Sequence, residues 1–435
     1  MKITVIGTGY VGLTSGVMMS HIGHQVTCLD TNTEKIKKLK QNILPIFESG
    51  LSEYLNQYGN TPDLKFTSSY HEAFDEDTEV IFICVNTPSK KDGDADLTYL
   101  FDSVREVVRY IPDSCLLVIK STVPPGTSLD LSQMLEGLGY NIDLASNPEF
   151  LREGTAVNDF LYPDRIVIGV NRASAESKLR HLYKPLTDEG IKIVVTDPAT
   201  SELIKYAANS FLANKVAFIN EMADLCEKTG ADINSLSEGV GLDKRIGKKF
   251  LKAGPGFGGS CFPKDILALQ YFARKVNCDS LILDAVIKAN QDRPKKVVSK
   301  ITQILGGKLG NKKLALLGLT YKAGTDDIRS SPAIDLINSF TEMGCDIAAY
   351  DPQGMRAARE FFASLPLANS ALEAARNADG VVIITEWPEF RHIDFKAMKF
   401  LMKKPVIIDL RNLLDQVSLE QLGYKYFCIG KKHAN

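Results

Sequence analysis

The sequence predicts an α/β protein: two Rossmann-like doubly wound domains joined by a long central helix and a helical middle domain. Three observations carry this. Short apolar runs alternate with helical periodicity through the first part of the chain. From Ser201 to about Lys228 the chain then runs without Gly or Pro, as one long helix would. After Gly306-Gly307 the strand–helix alternation returns. The expected boundaries are residues 1–196 for the first α/β domain, 197–305 for the helical middle and 306–435 for the second α/β domain. At 435 residues the chain is long enough for two or three domains.

In the first domain the expected strands are Ile3–Ile6, Val26–Leu29, Val80–Val85, Leu116–Ile119, Ile142–Ala145, Ile166–Ile168 and Ile191–Val195. Helical spacing fills many of the gaps, as in Leu13–His21, Thr33–Leu39 and Leu100–Tyr110. That rhythm implies a mostly parallel sheet. The central helix exceeds the usual ~10–14 residues and is expected to span domains or subunits. The second α/β domain should contain Leu314–Leu317, Ile347–Tyr350, Val381–Ile384 and Val406–Asp409 as strands. Basic residues between Arg293 and Lys313 read as a solvated helix face and linker, and the tail Gly430–Asn435 as disordered. The two α/β halves are compatible with a degenerate duplication.

Composition narrows the class. Hydrophobic residues at 44% and charged ones at 24% describe an ordinary globular protein with ample core. A net charge of -2 supplies no general drive toward nucleic acid or an anionic membrane surface. No apolar run reaches the length of a membrane span, and Met1–Gly7 reads as a strand rather than an export signal. The 8 cysteines are scattered, with no C-x-x-C pair, so neither a zinc site nor a disulfide framework is expected. Reduced thiols in a cytoplasm follow. Cys28, Cys84 and Cys115 lie within apolar runs and are expected in the core.

Gly7-Thr-Gly-Tyr-Val-Gly12 follows the first strand and opens the first helix. In such a turn Gly7 bends the chain, Gly9 admits a pyrophosphate, and Gly12 lets helix and strand pack, with Tyr10 and Val11 lining the approach. Asp30 closes the second strand, where an acid binds ribose hydroxyls and repels a 2′-phosphate. NAD is therefore favoured over NADP, although Lys35 is within reach; another nucleotide or flavin is the alternative. Thr87 and Thr122 lie in polar turns after later strands, where cofactor contact and plain turn chemistry are equally compatible.

Cys261 sits in the glycine-dense stretch Gly254-Pro-Gly-Phe-Gly-Gly-Ser-Cys-Phe-Pro-Lys-Asp265. Pro263 suits a first helical turn, so Cys261 is expected at a helix N-terminus beside Lys264, where a thiolate is favoured. Its other reading is a small buried hydrophobe. Lys205 and Asn209 share one face of the long helix, either to stabilise an oxyanion or as a solvated stripe. Glu149, Glu153 and Asp265 are possible bases. None of the 6 histidines falls in these motifs. Lys322 and Arg329 mark a loop in the second α/β domain able to meet a pyrophosphate by charge.

Taken together, these motifs resemble the UDP-glucose/GDP-mannose dehydrogenase family, and within it the branch acting on UDP-glucose. The likeness covers essentially the whole chain through Gly7–Gly12, Lys120–Thr127, Asn147–Gly154, Glu202–Phe211, Gly256–Asp265, Gly318–Lys322 and Arg329–Pro332. It implies NAD-dependent four-electron oxidation of a nucleotide sugar's primary alcohol to a carboxylate. Cys261 would form the thiohemiacetal and thioester, Lys205 and Asn209 would hold the oxyanion, and Asp265, Thr122 or Glu149 would handle water. NAD would meet Asp30, Lys35, Thr87, Thr122, Glu153, Lys264 and Arg329. The nucleotide sugar would meet Glu149, Phe150, Leu151, Arg152, Lys205, Asn209, Phe250, Leu251, Lys252, Ala253, Gly254, Gly258 and Lys322. Arg245 would reach a neighbouring subunit, with dimerisation through the central helix. Residues 1–196 would bind NAD, 197–305 would dimerise, and 306–435 would bind the UDP-sugar. GDP-mannose or an N-acetylated UDP-sugar is the alternative substrate. A hydroxyacid-type dehydrogenase, one rival, would have no use for Cys261 or for the C-terminal domain; a non-catalytic nucleotide-sugar sensor, the other, would bind without releasing NADH.

Overall fold

The computed structural model describes residues 1–59 and 61–432, and clusters them into two compact units. One comprises Met1–Ala208 with Leu267–Cys278; the other comprises Asn209–Ile266 with the chain from Asp279 onward. The first contains β1 (Lys2–Ile6), β2 (Gln25–Leu29), β3 (Leu64–Thr67), β4 (Val80–Ile83), β5 (Leu116–Ile119), β6 (Asp143–Ser146), β7 (Ile166–Val170) and β8 (Ile193–Thr196). They form one sheet in the order β3-β2-β1-β4-β5-β6-β7-β8. All neighbours are parallel except β6 and β7. β4 and β5 are buried at every position, because helices cover both faces of a parallel sheet. The chain reverses direction across the sheet between β1 and β4, which places Gly7, Thr87 and Thr122 beyond the carboxyl ends of β1, β4 and β5.

The second unit contains β9 (Lys313–Leu317), β10 (Asp346–Tyr350), β11 (Gly380–Ile383), β12 (Val406–Asp409) and β13 (Lys425–Cys428), all parallel, in the order β10-β9-β11-β12-β13. That order repeats β2-β1-β4-β5-β6, as a duplication would. The acid after β10 has diverged in use. Asp351 is fully buried and accepts from Leu319 N at 2.7 Å, Thr320 N at 3.0 Å and Trp387 Nε1 at 3.1 Å. Where Asp30 closes β2 in the first sheet, Asp351 is sealed beneath an indole.

The central helix runs Pro198–Thr229, longer at both ends than its Gly/Pro-free core indicated. Two edge strands, β3 and β13, were not expected; each is four residues long and carries too short a pattern to stand out. Two expectations are corrected. Arg293 is not on a solvated face but 5% exposed within the helix Leu281–Ile304. The tail is tied down as far as described: Gly430 N donates to Glu227 at 2.8 Å, and Lys431 pairs with Asp232 at 2.9 Å. The remainder of the tail, 433–435, lies outside the described residues. Cys28, Cys84 and Cys115 are buried, and burial pushes the Cys84 thiol up to about 12 and that of Cys115 up to about 11.

Candidate active site

In the first unit the fingerprint turn leaves no room for larger residues. A Cβ on Gly12 would lie 1.9 Å from Gly7 O, and Gly7 itself has φ +91°. Gly9 faces the opposite situation: its nearest neighbour would be Asn86 Oδ1 at 3.9 Å. The helix Tyr10–His21 that follows has no side-chain cap and no acid in its first turn. Open space before uncapped amides at the positive end of a helix fits a pyrophosphate. Asp30 accepts from Thr8 N at 2.8 Å, Asn32 N at 2.9 Å and Lys35 Nζ at 2.8 Å. Burial raises its pKa, but Lys35 and the amides outweigh that and hold the carboxyl below its usual range. Thr87 Oγ1 donates to Thr122 O at 2.9 Å, so these two turns are joined.

Glu149 and Glu153 lie in a segment that is not helical. Glu149 turns to Lys205, whose Nζ lies 2.9 Å from Oε1, and both side chains are buried at 5% and 6% exposure. Leu151 N donates to the other carboxylate oxygen at 2.5 Å, which fixes its orientation. A solvated stripe is thereby ruled out for Lys205. The Phe150 ring lies 3.5 Å from the Arg165 guanidinium and 5.3 Å from Lys205 Nζ. Arg152 is exposed and pairs with Asp159 at 2.5 Å, while Glu153 is buried.

In the second unit Cys261 immediately precedes the helix Phe262–Lys275, as expected, and Asp265 N donates to its carbonyl at 3.0 Å. The residue is partly exposed, unlike the buried Cys226, Cys345 and Cys428 of the same unit, and its sulfur lies 3.6 Å from Ser260 Oγ. Asp265 is 1% exposed and accepts from Asn209 Nδ2 at 2.6 Å and Lys264 Nζ at 2.5 Å. Lys264 therefore neutralises Asp265, a contact the expected Lys264–thiol pairing did not foresee. Asn209 stands one turn beyond Lys205 on the central helix and is buried too.

The glycine stretch is held by side chains. Gly254 N donates to Asn220 Oδ1 at 2.8 Å and Gly254 O accepts from Arg293 Nε at 3.0 Å. Asn290 clamps Phe257 by donating to its O at 3.0 Å and accepting from its N at 2.9 Å. A Cβ on Gly258 would meet Ser330 O at 2.0 Å, and Gly259 N donates to Arg329 O at 3.0 Å. The loop that ends in Cys261 thus lies against the Arg329 loop. Phe250 adopts φ +64°, Leu251 and Ala253 are buried, and Lys252 points to solvent. Lys322 Nζ sits 5.6 Å from the Tyr321 ring centroid. The Arg329 and Arg245 side chains are exposed and fold back onto Asp327 and Asp243 at 2.7 and 2.6 Å.

Several residues at these sites carried no sequence signal of their own. Arg411 brings its Nη1 within 3.0 Å of where a Gly254 Cβ would stand and donates to Tyr321 O at 3.2 Å. Asn220, Asn290 and Arg293 act on the glycine stretch from distant helices. Lys120 is buried with neutral partners, Asn147 Oδ1 at 3.0 Å and Tyr183 OH at 3.5 Å, and burial lowers its pKa to about 8. Glu48, from an irregular loop, is buried against the cofactor turn.

A dinucleotide turn, an acid at the end of β2 and a partly exposed cysteine at a helix start are the features expected of a nicotinamide-dependent dehydrogenase. Residues 1–187 match the NAD binding domain of the UDP-glucose/GDP-mannose dehydrogenase family, 199–292 its central domain and 315–416 its UDP binding domain. The chain belongs to this family, and its cofactor is NAD. A UDP-glucose 6-dehydrogenase of Rickettsia bellii is 52% identical over 99% of this chain and 100% of its own length. One from Rhizobium meliloti is 44% identical, again over 99% of this chain and 100% of its own. Among solved structures, a UDP-glucose dehydrogenase from Pyrobaculum islandicum superposes with a TM-score of 0.89 at 36% identity, covering 98% of this chain and 96% of that one.

Proposed function

We propose that the protein oxidises UDP-glucose to UDP-glucuronate at the sugar's primary alcohol, in two hydride transfers joined by a covalent intermediate on Cys261. The observation that carries this is the pairing of full-length similarity to UDP-glucose 6-dehydrogenases with a partly exposed cysteine at a helix start. NAD, when bound at Gly7–Gly12 and Asp30, supplies the hydride acceptor, two molecules per sugar. Lys35, Thr87, Thr122, Glu153, Lys264 and Arg329 complete the proposed cofactor set.

The chain's own groups do the rest. The Cys261 thiolate adds to the aldehyde carbon, forming a C–S bond, and the resulting oxyanion is stabilised by Lys205 and Asn209. Loss of the second hydride leaves a thioester. Water then adds, the C–S bond breaks, and thiolate and carboxylate are released; Glu149, Asp265 and Thr122 are the candidates that position this water. Covalent capture keeps the reactive aldehyde from escaping. Phe150–Arg152, Phe250–Gly254, Gly258 and Lys322 would bind the nucleotide sugar, and Arg411 joins them on its contact with Gly254.

Among the described residues no helix is long and apolar enough to cross a membrane. We place the enzyme in the cytoplasm, divided at 1–196, 197–305 and 306–435, and dimeric through its central helix. The support for a dimer is an apolar stripe on that helix: Phe211, Phe218 and Leu225 are 65%, 47% and 52% exposed. Arg245, exposed, would reach the second copy. Purified protein should release about two NADH per UDP-glucose consumed; a panel of nucleotide sugars that turned over GDP-mannose or an N-acetylated sugar in preference would reassign the substrate. Cys261→Ser should abolish uronate formation, leaving at most slow aldehyde release, and undiminished uronate would remove the thiol from the mechanism.

A further inference from the structure

Glu48 is a buried carboxylate, 4% exposed, and its hydrogen-bond partners among the described residues are neutral donors. Oε2 accepts from Gly154 N at 2.6 Å and from the Tyr10 hydroxyl; Oε1 accepts from Ala156 N at 2.8 Å. Tyr10 OH in turn accepts from Gly154 N at 3.0 Å. These partners come from two functional segments far apart in sequence. Tyr10 opens the fingerprint helix, whose uncapped amides would face the cofactor's pyrophosphate. Gly154 and Ala156 close the turn that carries Phe150, Arg152 and Glu153. A carboxylate taken out of water without a cation is costly, and these short charge-assisted bonds are what retain it. Burial and the neighbouring Glu48 carboxylate both push the Tyr10 hydroxyl far above its usual pKa, so it stays a proton donor.

We propose that Glu48 is a positioning residue that couples the two binding sites: through Tyr10 it ties the cofactor turn to the sugar-nucleotide turn, so that filling either one orders the other. The proposal rests on the function proposed above. Coupling between sites is reciprocal and is typically ~5–150-fold in affinity. For two segments in direct contact through one carboxylate, about 5–10-fold is expected.

The test is calorimetry with UDP-glucose and NADH, a pair that binds without reacting. In the wild type each ligand should bind about 5–10-fold tighter when the other is present, by the same factor both ways. Tyr10→Phe removes one oxygen and leaves Glu48 bonded to Gly154 and Ala156; Glu48→Gln disrupts the whole cluster. Both should bring the factor close to one, and Tyr10→Phe should do so with little change in thermal midpoint. A wild type that binds both ligands independently would overturn the coupling, and so would variants that keep the wild-type factor. Variants that merely lose stability and weaken both ligands alike, with the factor intact, would reduce Glu48 to a structural role and also overturn it. A wild type that fails to bind UDP-glucose at all would instead overturn the substrate assignment, and the coupling with it.

Discussion

At the scale of single residues, the Lys205–Glu149 pair shows how burial converts an ordinary ion pair into a strong constraint. Both side chains are almost entirely withdrawn from water and meet at 2.9 Å. Removing one partner leaves an uncompensated buried charge, at about 3–5 kcal/mol. Lys205→Met should lower the unfolding free energy by that amount, while Lys205→Met combined with Glu149→Gln should lose less than the two single changes summed. Strict additivity in urea unfolding would show that the pair is not energetically coupled. The same variants should lose turnover whatever their stability, because Lys205 carries the proposed oxyanion contact. Sequence spacing put Lys205 and Asn209 on one helix face but left a solvated stripe as the alternative; the positions of Glu149 and Asp265 in space decide against it.

Among the elements, the helix Thr127–Gly137 is capped from outside itself. Its N-cap, Gly126, offers no side chain, and Glu202 on the central helix takes its place. The Glu202 carboxylate accepts from Gly126 N at 2.7 Å, Ser128 N at 2.8 Å and Ser128 Oγ at 2.5 Å. Burial raises its pKa to about 6, more than these donors lower it. A carboxyl whose folded pKa lies above the unfolded one binds extra protons in the native state between those two values. Its contribution to stability therefore falls as pH rises from about 4.5 to about 6, by about 2 kcal/mol, and is level beyond. Wild type should lose that much relative to Glu202→Gln between pH 4 and pH 7 in urea unfolding, and parallel pH profiles would contradict the assignment. No local pattern announces such a cap, since helix and acid are separated by several strands.

On the scale of the whole molecule, the exposed stripe Phe211, Phe218, Leu225 is the largest unexplained feature of the central helix. These large apolar side chains, at heptad-like spacing on an exposed helix face, are what the proposed dimer would cover. Phe211→Glu with Phe218→Glu should convert a dimer to a monomer in sedimentation, and turnover should fall if Arg245 serves the second copy. A wild type that sediments as a monomer would remove both the interface and the role of Arg245. The two sheets share one strand order, yet the acid after β2 is placed for a ligand and the acid after β10 is buried under Trp387. One architecture thus puts the acid at this position to two different uses.

Local chemistry sufficed for much of this protein. The fingerprint Gly7–Gly12, the acid Asp30, the helix start at Cys261 and most of the parallel strands follow from backbone sterics, turn chemistry and apolar periodicity, which act over a few neighbouring residues. The short edge strands, the buried Arg293 and the contacts of Glu48, Glu202, Lys120 and Arg411 do not. The strands are too short to show a period; each of the polar contacts depends on a group being taken out of water beside partners tens or hundreds of residues away, and a polar residue destined for burial looks in sequence like any surface one. Folding selects among them, because only where donors and acceptors converge can such a group leave solvent without a prohibitive desolvation cost.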